Sequence, residues 1–252
     1  MKILVLITTY QRRQSLLRLL QQLADNDNEG LDVAVHVLHD GPLSFDYIPV
    51  NAWLKNHPGW SSTYMPEHCG RILYYQVINQ LFAHAQRRPA DYYIKLDDDV
   101  RVSRTFFKDA VRLYRTIANP RCVCLNLLND GRGRPGWVSG LAPDRRVAPA
   151  EVSAVHSAQW TDMCGYISVE QFFRCFNYRL NYPFAPGTRI SAVSSSGVGK
   201  QISRRVVKAG YDIYQVDMSL VTHDDHPSVM HPRHRQMVPL ISNDITCTQQ
   251  AK

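Results

Sequence analysis

Short, nearly continuous apolar runs alternate along the chain with longer stretches whose apolar residues recur every three or four positions. Residues 3–7, 33–38 and 92–96 are runs of the first kind, each closed by polar or turn-forming residues. Runs of that length read as strands buried on both faces. Between them, residues 14–24 place Leu16, Leu17, Leu20 and Leu23 on one helical face. Residues 71–86 do the same with Tyr74, Val77, Ile78, Leu81 and Ala85. A helix is predicted over 106–117 and a strand over 122–128. This order implies an α/β fold, Rossmann-like, with a mainly parallel central sheet flanked by helices.

The second half is less regular. Residues 129–149 are rich in Gly, Pro and Arg and read as a long loop, a length usually tied to function. Helices are predicted over 169–176 and 199–209, and a strand near 211–216. With 252 residues and no repeat or linker, one domain over 1–240 is expected, followed by a loose polar tail, 241–252.

Composition narrows the class. An apolar content of 44% and a charged content of 20% are ordinary globular values. The first apolar run is too short for a signal peptide, and Gln11, Arg12 and Arg13 follow it closely. No run approaches a membrane span, so a soluble, cytoplasmic protein is expected. The six cysteines fit neither a zinc spacing nor a disulfide framework, and Cys122 and Cys124 read as packing thiols.

The net charge is +7, with a pI near 9.1. Residues 101–150 hold ten Lys/Arg and three Asp/Glu, and the rest of the chain holds 19 of each sign. The whole excess therefore lies in one fifth of the chain. Such a block fits a phosphorylated or polyanionic partner. A solvated helix face, with Arg104, Lys108, Arg112 and Arg115 at near-helical spacing, accounts for part of it equally well.

The strongest chemical signal is the run Tyr92 to Val100, where a buried strand ends in Asp97, Asp98 and Asp99. Ligands of open α/β sheets bind beyond the carboxyl ends of strands. Three adjacent carboxylates need a cation, and a hard divalent ion (Mn2+ or Mg2+) bridging diphosphate oxygens would supply it. Asp97 and Asp99 are the expected metal ligands, with Asp98 turned toward a ribose. A dehalogenase-type phosphatase also places aspartates after a strand. It requires Thr or Val where this chain has Arg101, and is disfavoured.

Together with three neighbouring motifs, this run resembles the GT-A fold glycosyltransferases, family-2-like, with their D-x-D metal motif. Ile7-Thr8-Thr9-Tyr10-Gln11-Arg12 is similar to the family's first-strand motif. His39-Asp40-Gly41-Pro42 is similar to its D-D-G-S, and Gly70-Arg71 with Asn79 to the helix before the aspartates. The resemblance covers residues 1–100 in the right order. It implies a nucleotide-sugar-binding half over 1–100 and an acceptor half over 101–240. It also implies a nucleotide-sugar donor, UDP-linked, with Thr8, Tyr10, Arg12, Asp40, Arg71, Asn79 and Asp98 as its contacts. A late histidine completes the metal shell in many such enzymes, and His223, among four histidines within twelve residues, is the match.

The second half departs from the family. Its usual Glu-Asp pair before the last large helix is replaced by the run Ser194 to Lys200, which holds no carboxylate. Asp162, in Trp160-Thr161-Asp162-Met163, is the substitute candidate for general base. Gly197-Val198-Gly199-Lys200 lacks the Walker spacing, but a glycine-rich helix start with Lys200 can face a phosphate.

The expected acceptor is a saccharide or glycoconjugate. The alternative is DNA, a hydroxymethylated pyrimidine reached through the basic segment 101–150, with Arg132, Arg134, Arg145 and Arg146 in the long loop. A nucleotidyltransferase would carry a glycine-rich loop after the first strand, which Thr8-Thr9-Tyr10 does not provide. A non-catalytic nucleotide-sugar-binding protein is the remaining alternative. Inversion or retention, the donor sugar and the oligomeric state are not fixed by these residues.

Overall fold

A computed structural model describes residues 1–129, 155–161, 163–183 and 196–223. Its first half alternates strictly: β1 (Lys2–Thr9), α1 (Arg13–Ala24), β2 (Asp32–His39), α2 (Ile48–Lys55), β3 (Ser61–Tyr64), α3 (Tyr74–Arg87) and β4 (Tyr92–Asp97). Then come β5 (Val100–Val102), α4 (Phe106–Thr116), β6 (Cys122–Asn126), β7 (Val155–Ala158), β8 (Gly165–Ser168), α5 (Glu170–Arg174), α6 (Val198–Lys208), β9 (Asp212–Val216) and β10 (Val221–His223).

Eight strands form one sheet in the order β3-β2-β1-β4-β8-β6-β9-β7, and β5 pairs with β10 in a separate ribbon. Strands β3, β2, β1 and β4 are parallel, as the alternating first half requires. Past β4 the sheet is mixed. Strand β8 lies antiparallel between β4 and β6, and β7 runs antiparallel to β9. Strand β6 pairs parallel with β9, so among the described residues six of the eight strands point the same way, and the mainly parallel expectation holds with β8 and β7 as the reversed strands. A short antiparallel strand carries no crossover helix to announce it.

Period-two alternation sorts β1 between two cores. Ile3, Val5 and Ile7 pack with α1, α2 and α4, while Leu4 and Leu6 pack with α3, α5 and α6. Both faces are covered, so the whole run is apolar. Helix α3 buries Val77, Ile78, Leu81, Phe82 and Ala85, and α1 buries Leu16, Leu19, Leu20 and Leu23. Cys122 and Cys124 fall in opposite cores because the register with β9 shifts between them. No helix among the described residues is long and apolar enough to cross a membrane.

Candidate active site

The carboxyl ends of β2, β1 and β4 lie side by side, with Thr9 opposite His39 and Thr8 opposite Asp97. The same alternation that divides the core divides the polar residues here. Lys95 and Asp97 are two apart on β4 and share the α3 face with Thr8. Asp98 shares the opposite face with Thr9.

On the α3 face, the Thr8 hydroxyl donates to Asp97 Oδ1 at 2.9 Å and accepts from Lys95 Nζ at 3.1 Å. The Lys95 ammonium, 1% exposed, pairs directly with the Asp97 carboxylate. Tyr74 Oη lies 3.3 Å from the Thr8 hydroxyl. Burial opposes the charge of Lys95, yet Asp97 overrides it and holds the ammonium above its ordinary range. In this network Asp97 is paired with a lysine of its own strand, and the Thr8 hydroxyl is engaged by both.

On the other face, Asp98 accepts from the Thr9 hydroxyl at 2.7 Å and from the Tyr10 N–H at 3.3 Å. Arg12 Nη1 approaches Asp98 at 3.4 Å and pairs more closely with Asp99. Burial, then the Asp99 charge, push the Asp98 carboxyl up to about 7, although Arg12 and Thr9 work against them. Burial also opposes the Arg12 charge, but Asp99 and Asp98 hold it above its ordinary value. Arg12 therefore serves as counter-ion to the aspartates in this structure.

Asp99 lies past the strand end, where the ribbon begins. His223 is opposite Val100 in the β5–β10 pairing, and its Nδ1 stands 3.6 Å from Asp99 Oδ1. Among the described residues, no three His, Cys, Asp or Glu side chains form a metal cluster. The donor chemistry of this pair nevertheless fits a divalent ion. A carboxylate oxygen suits Mn2+ or Mg2+, an imidazole nitrogen is a common ligand of divalent ions, and Mg2+ commonly takes one or two protein ligands and completes its shell with substrate phosphates and water.

At the end of β2, the Asp40 carboxylate accepts from Cys69 N–H at 2.7 Å and Gly70 N–H at 3.2 Å. His68 Nδ1 lies 3.1 Å from Asp40 Oδ2, and its ring stacks on Tyr10 at 3.7 Å and 8°. Tyr10, Arg12, Asp40 and Asp98 are thus gathered at one place. Arg71 follows directly on Gly70, in the turn before α3.

Asn79 is elsewhere. Its amide donates to the Leu180 carbonyl at 2.9 Å and accepts the Leu180 N–H at 2.6 Å, so both ends are used in clamping that segment. Lys200 lies in the first turn of α6, and no contact described for it reaches the carboxylates. There α6 passes so close that a Cβ on Gly199 would lie 2.8 Å from the Thr161 carbonyl oxygen.

Asp162 lies outside the described residues. Its neighbours bracket the site: Thr161 N–H donates to Ser203 Oγ at 2.9 Å, and Cys164 C=O accepts the Asp97 N–H at 3.1 Å. The long loop with Arg132, Arg134, Arg145 and Arg146, and the histidines after His223, also fall outside the described residues. In the described part of the basic segment, Lys108 pairs with Asp27 at 2.6 Å, Arg112 with Asp109 at 2.8 Å, and Arg121 with Asp212 at 3.5 Å. These partners match a solvated protein surface.

Sequence reasoning gave no role to Lys95, Thr9 or His68. The signal for Lys95 was present, as a lysine inside a buried strand on the same face as the first aspartate. His68 had no such signal, because its partners come from two other loops.

No family model matches the chain, and no curated protein matches it in sequence. Solved structures do match in fold. One is the mannosyltransferase PcManGT from Pyrobaculum calidifontis in complex with GDP-Man and Mn2+. Its TM-score is 0.53 at 15% identity, over 84% of this chain and 53% of that one. Another is S. aureus TarS 1–349, with a TM-score of 0.55 at 14% identity, over 89% and 61%. A third is GalNAc-T7 with UDP, GalNAc and Mn2+, with a TM-score of 0.62 at 14% identity, over 88% and 44%. The chain spans about half the length of these proteins. Its fold is the GT-A fold of glycosyltransferases.

Proposed function

We propose that this protein is a metal-dependent glycosyltransferase, which moves a sugar from a nucleoside-diphosphate donor, UDP-linked, to a hydroxyl of a saccharide or glycoconjugate. The observation that carries the reading is the approach of His223 to Asp99 at the mouth of the parallel strands, beside Asp98 and Arg12. The GDP-Man and UDP complexes of PcManGT and GalNAc-T7, both with Mn2+, support the donor class.

Asp99 and His223 would hold the divalent ion. When bound, the ion offsets the charge that develops on the leaving diphosphate. Asp98 and Tyr10 would receive the nucleoside, with Asp40 and Arg71 toward its base. Arg12, released from the aspartates, is placed to meet a phosphate. Lys200, at the start of α6, is placed for an acceptor or phosphate contact. Asp162 would take the proton from the attacking hydroxyl, since its chain neighbours are hydrogen-bonded to Asp97 and to α6.

The test is a screen of nucleotide-sugars with Mn2+ or Mg2+, reading donor hydrolysis and then transfer to saccharide acceptors. Turnover that is abolished by chelator and by Asp99→Asn supports the reading. Full turnover in excess chelator overturns its metal dependence. Turnover only with hydroxymethylated DNA would move the acceptor to nucleic acid.

A further inference from the structure

The residues gathered around Asp40 are already occupied by the protein itself. Two features suit a nucleobase here: the flat face of Tyr10 and the Asp40 carboxylate. His68 uses both. Its imidazole lies on Tyr10 at a 3.7 Å centroid distance and 8° interplanar angle, too close for another ring to enter between them. Its Nδ1 reaches Asp40 Oδ2 at 3.1 Å. The backbone that follows completes the occupation, with Cys69 N–H on Oδ1 at 2.7 Å and Gly70 N–H on Oδ2 at 3.2 Å. Both oxygens of the carboxylate are taken.

The local backbone is built for this pose. Gly41 has φ 141° and Gly70 has φ 57°, conformations that L side chains rarely adopt. A Cβ on Gly70 would sit 3.4 Å from His68 Nε2, and one on Gly41 3.9 Å from His68 Cβ. Both would be ordinary contacts, so the backbone angles, not the space around the imidazole, call for glycine at these two positions. Leu43, Ile72 and Leu73 are exposed on the adjoining stretches of chain.

We propose that His68 stands in for the nucleobase of the donor, and that residues 68–70 must leave Tyr10 and Asp40 before a nucleotide can seat. The inference rests on the donor reading above. Arg71 is the next residue along, so the same movement that frees Asp40 repositions Arg71. Closure competes with the ligand, and apparent affinity falls by the fraction of molecules that are open. His68 therefore sets donor affinity without contributing to chemistry.

The test titrates the intact protein and its His68→Ala and His68→Phe variants with UDP in the presence of Mn2+, by calorimetry. Stopped-flow fluorescence supplies the association rates, and thermal unfolding checks each fold. Removing the occupant is expected to tighten UDP about tenfold, the factor expected when closure holds about nine-tenths of the molecules. Association in the parent should level off at high UDP and become linear in His68→Ala. His68→Phe keeps the stack without the nitrogen and should fall between the two. Weaker or unchanged binding by a folded His68→Ala overturns the gate and leaves the donor reading standing. Absence of UDP binding by every form overturns both.

Discussion

His223 Nδ1 meets Asp99 at 3.6 Å because β10 runs antiparallel to β5, which places His223 opposite Val100, the residue after Asp99. Two segments far apart in the chain thereby bring a nitrogen and an oxygen donor to one point. If these hold the metal, His223→Ala and Asp99→Asn should each lower Mn2+ affinity and turnover by about 100-fold or more. Residues that only support a ligand typically cost ~10–100-fold. Manganese EPR titration measures the affinity directly, and unchanged Mn2+ binding in both variants would sink the assignment.

Arg12 is expected to oppose the metal before the donor arrives, since it pairs with both Asp98 and Asp99. Arg12→Gln should bind Mn2+ several-fold more tightly in the absence of nucleotide. The same variant should bind UDP less tightly if the guanidinium then serves a phosphate. Weaker Mn2+ binding by Arg12→Gln would show that the pair is not a competitor.

Lys95→Met should destabilise the fold by about 3 kcal/mol, the low end of the range for breaking a buried ion pair, because Asp97 keeps some contact with solvent. Lys95→Met with Asp97→Asn should recover much of that loss. Urea denaturation of the three variants reads the difference. A Lys95→Met protein as stable as the parent would mean that the pair contributes nothing.

Two buried histidines predict acid lability. Burial, followed by His84 and Arg88, lowers His36 from 6.5 to about 3. Burial between the rings of Tyr47 and Tyr64 lowers His39 from 6.5 to about 4. As pH falls through 6.5 the unfolded chain takes up protons that the folded chain refuses. The stability is therefore fully present above pH 6.5 and is lost toward pH 4. For His39 the full effect is roughly 3 kcal/mol. His39→Phe keeps a ring in place and should flatten the decline, as measured by denaturation at stepped pH. Parallel curves for parent and variant would refute it.

Asp162→Asn should lower the transfer rate by ~10²–10⁴-fold with little change in donor KM, as expected when a general base is removed. Single-turnover kinetics at saturating donor would show it. An unchanged rate clears Asp162 and directs attention to another base or to a retaining mechanism.

How much of this was legible in the sequence follows from the range of the interactions. Most of the parallel strands were readable because buried strands and amphipathic helices leave local periodicities. Strand β3, Ser61–Tyr64, was not, since its four residues are mostly polar and only half buried. Strand β8 is four residues long and packs between two strands distant in sequence. The aspartates were visible as a motif, yet the division of labour among them was not. It depends on which face each side chain takes and on Lys95 and Arg12 as partners. Asn79 matched a family position, but its amide is used by Leu180, from a segment that no local pattern links to α3.

The placement of β8 between β4 and β6 has a practical consequence for dissection of the molecule. A fragment ending near residue 100 would keep the parallel strands β1 to β4 and much of the nucleotide-side residue set. It would also leave the outer edge of β4 bare, with Tyr93 to Leu96 stripped of their partners Gly165 to Ser168. An apolar edge of that kind recruits other chains. The truncated piece should therefore self-associate instead of serving as a minimal binding unit, and the GT-A region is better handled whole.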